Sequence, residues 1–177
     1  MNIFQILAIC GMLSPIFYAV MWILGGFLRS DYSHIRDDIS SLFAVGAPRK
    51  RLFNAFIIAS SVLLFVFYLG LHWGLNNGHG SILGPIIFMF SGLLSVLVAF
   101  FFPLDVAGEI ITYRGKLHLI LVVLSGFLNI VGMLALGLDY HLLMFGVIFP
   151  GFLLFQQLFH LYLLFFLLFS LRVSSGV

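Results

Sequence analysis

Six side chains able to move a proton or hold a metal ion fall in two polar stretches of an otherwise apolar chain. The first, YSHIRDDIS, carries His34, Asp37 and Asp38; the second, FPLDVAGEIITYRGKLH, carries Asp105, Glu109 and His118. Imidazole and carboxylate are the groups of general acid–base catalysis and of metal-assisted hydrolysis. His34 and Asp38 stand i and i+4, a spacing at which two ligands share one ion, and His118 is the further metal candidate. A pair alone lacks the three ligands of a catalytic zinc site, so a solvated polar face is the simpler reading of it. His34, Asp37, Asp105 and His118 are the catalytic candidates, provided that the two stretches meet in space. A divalent metal is the one cofactor these residue types invite.

The elements that must position them are membrane helices. The chain has 177 residues, of which 63% are hydrophobic and 8% charged, and its mean hydropathy is +1.22. A soluble domain does not cover that much apolar surface with so few charges. Long uncharged tracts, each of about 20 residues or more as a bilayer requires, place spans at Ile3–Leu28, Leu52–Trp73, Ile82–Phe102, Leu117–Leu138 and Leu142–Leu171. The runs are continuous rather than alternating, which excludes barrel strands. The fold class is therefore all-α, a single transmembrane bundle over residues 1–177 with five spans, or six if the last tract divides. Pro150-Gly151 is the natural kink in that tract. The first span lacks the basic start and small-residue cleavage pattern of a signal peptide and is kept as a helix. Cys10 is the only cysteine, so no internal disulfide forms.

Charge sets the orientation. Eight of the fourteen acidic and basic side chains lie between Arg29 and Arg51. Arg29, Arg36, Arg49, Lys50 and Arg51 fall in the first connection, Arg114 and Lys116 in the third, and Arg172 after the last span. The positive-inside rule then puts the N-terminus outside and the C-terminus in the cytoplasm of a cell whose inner membrane holds the protein. The net charge of +2 reports this topology and is no nucleic-acid footprint. Within the first connection, Tyr32, Ile35, Ile39, Leu42 and Phe43 recur on one arc at helical period, predicting a short amphipathic helix on the membrane surface. Gly46-Ala47-Pro48 stops it, and Arg49, Lys50 and Arg51 then reach the level of anionic lipid headgroups.

Polar stripes mark the helix faces turned from lipid. Asn54, Ser61, Tyr68 and His72 line one face of the second span; His118, Ser125, Asn129 and Gly132 line one face of the fourth. Ser91, Ser95 and Ala99 form a small-residue seam on the third. Gln156 and His160 share a face of the last span. Polar groups in hydrocarbon need partners, so these stripes pack helices together or line a path through the bundle. A haem held by two histidines is a minor alternative, because no second histidine matches the depth of His160.

YSHIRDDIS followed by GAPRKRLFN, then FPLD and GKLH, resembles the domain-of-unknown-function 998 family of small prokaryotic multi-pass membrane proteins. The matching positions are Tyr32, Ser33, His34, Asp37, Ser40, Gly46, Ala47, Pro48, Asn54, Pro103, Asp105 and His118. The resemblance implies an integral membrane protein commonly of six spans, one more than this chain displays, and it assigns no catalytic residue. The residues favour a non-enzymatic transport, lipid-binding or assembly module with a polar patch at the cytoplasmic boundary. The alternative is a lipid- or isoprenoid-processing enzyme built on the His and Asp candidates. A homo-oligomer and a small-molecule or lipid ligand are both compatible with such a bundle.

Overall fold

The structure, a computed structural model, describes residues 2–106 and 110–139. Four helices dominate it: α1 (Ile3–Leu28), α2 (Lys50–Gly74), α3 (Leu83–Phe101) and α4 (Tyr113–Asp139). Each is long and apolar enough to cross a membrane, and no strand occurs among the described residues. The protein is thus a helical multi-pass membrane protein. The expected span Leu142–Leu171, with Gln156 and His160, lies outside the described residues, as does Glu109.

Local signals set the helix ends. Asn2 and Gln5 form a capping box at the start of α1: the Asn2 side chain accepts from the Gln5 N–H and the Gln5 side chain from the Asn2 N–H, each at 2.9 Å. Thr112 caps α4, its hydroxyl accepting the Gly115 N–H at 3.1 Å. Arg114 and Lys116 sit in the first turns of that helix, which therefore begins before the uncharged tract does. Basic residues there gain nothing from the helix dipole; their place at the lipid boundary is the compensating term.

Each helix packs on its neighbour in the chain, α1 on α2, α2 on α3 and α3 on α4. Where lipid replaces water, helix association rests on close approach and hydrogen bonds between helices rather than on hydrophobic burial. Both features are present. Phe67 of α2 lies over Gly11 of α1, and Phe88 of α3 lies against Gly132 of α4. Ser14 and Ser60 tie α1 to α2 by exchanging hydroxyl-to-carbonyl bonds, both 2.9 Å. Ser91 and Ser125 do the same across α3 and α4 at 3.0 and 3.1 Å. The Asn129 amide donates to the Ser91 hydroxyl and the Ser125 carbonyl, while its oxygen accepts from the Tyr68 hydroxyl of α2 at 3.1 Å.

The amphipathic surface helix expected over Tyr32–Phe43 does not form. The segment is a series of turns ending in a 3-10 turn, Ile39–Leu42. Short polar side chains divert the backbone: the Ser33 N–H donates to Asp37 and the Ser41 N–H to Asp38, at 2.8 and 3.0 Å. Such local bonds compete with helical ones. The apolar residues consequently divide. Tyr32, Leu42 and Phe43 enter a core with Met21 of α1 and Phe53 of α2, whereas Ile35 is left 91% exposed.

Candidate functional site

The charged end of the bundle is assembled from two connections. The first, between α1 and α2, is anchored by Arg29, which is buried at the end of α1. Its guanidinium donates to both carboxylate oxygens of Asp31 and, at 2.9 Å, to the Ser41 carbonyl. The Asp31 carboxyl is held below its ordinary range by that bond. Asp37 is lowered in the same way by its hydrogen bond to Arg36, the second of the two ion pairs among the described residues.

The connection between α3 and α4 is organised by Asp105. Its carboxylate accepts from the N–H groups of Ile111 and Thr112 at 2.9 and 2.7 Å and from the Thr112 hydroxyl at 2.6 Å. These donors, led by the Thr112 hydroxyl, pull its pKa down, and nearby His118 acts in the same direction. Gly115 gives the carboxylate its room, since a Cβ there would stand 2.2 Å from an Asp105 oxygen. Asp105 thus accepts three hydrogen bonds within its own connection.

The two connections meet. The Val45 N–H donates to the Leu104 carbonyl at 2.9 Å. His118, 3% exposed, reaches both sides: Nδ1 lies 2.6 Å from the Phe102 carbonyl and Nε2 lies 3.2 Å from the Ser40 hydroxyl. His118, Asp105 and Ser40 thus belong to one cluster.

The other candidates lie apart from it. His34 turns onto α1, with its ring 4.5 Å from that of Trp22 and 5.2 Å from that of Tyr32. Its Nε2 packs over Gly26, where a Cβ would come within 2.2 Å, and its buried Nδ1 has no hydrogen-bond partner among the described residues. Asp37 pairs with exposed Arg36. Asp38 caps the 3-10 turn, and burial raises its pKa. No hydrogen bond or ion pair joins His34 to Asp37, Asp38, Asp105 or His118 within the described residues. Nor do those residues hold any group of three or more His, Cys, Asp or Glu placed for a metal ion.

Among the intramembrane polar residues, Ser61, Tyr68, Ser125 and Asn129 are buried between helices, and Asn54 and His72 are half-buried. His72 stands in the last turn of α2, at the far end, edge-on to Trp73. Sequence reasoning gave no role to Thr112, and to Arg29 only a share in the charge that sets orientation. Thr112 carries a readable signal, a threonine directly before a helical run. For Arg29 no local pattern announces burial.

Arg49 and Arg51 at the start of α2, and Arg114 and Lys116 at the start of α4, are exposed, with Lys50 half-buried between the first two. None of the five forms an ion pair among the described residues. The described carboxylates of this end are engaged internally, as are Arg29 and Arg36, and these five cations are not. No curated protein and no solved structure matches the chain. Residues 12–172 match the family described as "Protein of unknown function (DUF998)", and the chain belongs to that family.

Proposed function

We propose that this is an inner-membrane module whose cytoplasmic boundary binds anionic lipid headgroups. The observation that carries this reading is the asymmetry of charge at the boundary. Asp31, Asp37, Asp38 and Asp105 accept hydrogen bonds from their own loops, while Arg49, Lys50, Arg51, Arg114 and Lys116 have no acidic partner among the described residues. A cation at an anionic membrane surface gains about 1 kcal/mol, and five around one end add up to a lipid preference. The same excess favours a cytoplasmic placement of this end by the positive-inside rule.

Transport along the polar stripes has less support, because Ser91, Ser125, Asn129 and Tyr68 satisfy one another. Metal-dependent catalysis by His34, Asp37, Asp105 and His118 together has less support too, because His34 and Asp37 lie apart from Asp105 and His118, and three donors of its own connection already engage Asp105. One observation does favour an enzymatic reading of a different kind, the contact between His118 and Ser40.

The test is retention of lipid by the purified full chain, measured by native mass spectrometry after exchange into mixed anionic and zwitterionic lipid. The native protein retains anionic lipid preferentially, and the R49Q/K50Q/R51Q variant loses most of that preference. Equal retention of the two lipid classes by the native chain would sink the proposal.

A further inference from the structure

The tautomer of His118 follows from its neighbours. A peptide carbonyl has no proton to give, so the 2.6 Å contact with the Phe102 oxygen requires Nδ1 to carry the hydrogen. In the neutral ring Nε2 then holds a lone pair, and the hydrogen bond at 3.2 Å runs from the Ser40 hydroxyl to Nε2. A hydroxyl donating to an imidazole whose other nitrogen is fixed by an acceptor is the arrangement that activates a serine nucleophile.

The geometry points to Ser40 as an acyl-transfer nucleophile with His118 as its general base, acting on the acyl ester of a membrane lipid. Ser40 Oγ forms a bond to the ester carbonyl carbon as its proton passes to His118 Nε2. Collapse of the tetrahedral intermediate breaks the ester C–O bond, and the leaving alcohol takes that proton from Nε2. Water then attacks the acyl-serine, gives its proton to Nε2, and releases the acid as Ser40 Oγ is reprotonated.

Burial of the His118 ring, 3% exposed, works against the imidazolium that develops, and the Phe102 carbonyl at Nδ1 and nearby Asp105, kept ionised by its Thr112 and Ile111 donors, offset part of that cost. The Ser40 N–H belongs to the first turn of the 3-10 segment, where donors lack intrahelical acceptors, so it is at hand for the oxyanion. Ser40 itself is half-buried where the first connection meets α4. The choice of a phospholipid as substrate rests on the headgroup reading, since Arg114 and Lys116 flank the same helix start.

The experiment uses the full chain in neutral detergent, without anionic lipid, exposed to a fluorophosphonate probe and mapped by peptide mass spectrometry. The expected result is an adduct on Ser40 that is absent from Ser40→Ala and forms at least about 100-fold more slowly in His118→Gln, the usual worth of a general base. Ser40→Cys, which preserves the fold, should transfer reactivity to a thiol-directed probe. A native chain that unfolds cooperatively yet forms no Ser40 adduct overturns the proposal and leaves the bond to His118 as a tether between loops. Labelling of Ser40 with unchanged hydrolysis of anionic phospholipid by R114Q/K116Q would instead overturn the headgroup reading alone.

Discussion

Two of the polar clusters among the described residues, one between α3 and α4 and one at the charged end, use hydrogen bonds differently. In the seam of α3 and α4, Ser91 and Ser125 exchange bonds with each other's carbonyls, and Asn129 links them to Tyr68. Donors and acceptors there satisfy one another, as hydrocarbon demands. At the charged end the bonds are directional. Thr112 and two backbone donors converge on Asp105, and Ser40 gives one hydrogen bond to a His118 that is already fixed on its other side. The first cluster is closed and holds helices together. The second contains a hydroxyl and a basic nitrogen whose bond can be exchanged for one to a substrate.

The largest expected effect tests closure of the seam. Ser91 is fully buried, so Ser91→Leu both overfills the α3–α4 contact and removes one of the two acceptors of the Asn129 amide. A loss of about 3 kcal/mol is expected, read as thermal unfolding in detergent. Loss of under about 0.5 kcal/mol would show that the seam is slack. Gly115→Ala attacks the charged end instead, forcing its Cβ into the Asp105 carboxylate, with about 2 kcal/mol expected from overpacking. That variant should also weaken Ser40 labelling, which Ser91→Leu at a permissive temperature should leave alone.

A smaller effect separates two carboxylates of the charged end by sign. Asp38 has a raised pKa through burial, so the folded protein takes up its proton more readily than the unfolded chain. Its contribution to stability therefore grows as pH falls through the folded pKa towards the ordinary value of 3.8. Asp105 has a lowered pKa, so its contribution is complete above 3.8 and is lost as pH falls through the folded value. Asp31 and Asp37 share that second direction. The unfolding midpoint should rise on mild acidification and drop below about pH 4. Asp38→Asn should abolish the rise and keep the drop. The smallest effect belongs to the cations: R49Q/K50Q/R51Q should change stability by under about 0.5 kcal/mol while altering lipid retention.

Four of the five expected spans appear among the described residues, legible because each is a continuous apolar tract, and α1 runs over the expected Ile3–Leu28. The inward placement of Tyr68 and Asn129 follows from the absence of partners in lipid. The first connection was misread because Tyr32, Ile35, Ile39, Leu42 and Phe43 have helical spacing, and spacing is blind to Asp37 and Asp38 bonding to the backbone. Tertiary burial of Tyr32 and Leu42 against Met21 and Phe53 won over that periodicity. Ser40 and His118 are 78 residues apart in the chain, and only the meeting of the two connections brings them together. The six titratable candidates proved easier to find than their most consequential partner, an uncharged serine.

The bond from Val45 to Leu104 has a mechanical consequence. Together with the reach of His118 to Ser40, it staples the α1–α2 hairpin to the α3–α4 hairpin at one end. At the other end the chain itself joins the hairpins, turning through Asn77 and Gly78 between α2 and α3, over a core of Tyr68, Leu71, Phe88 and Leu136. The two hairpins are therefore clasped at both ends, by the covalent turn at one and by loop-to-loop hydrogen bonds at the other, so that sliding one past the other must strain one of the two clasps.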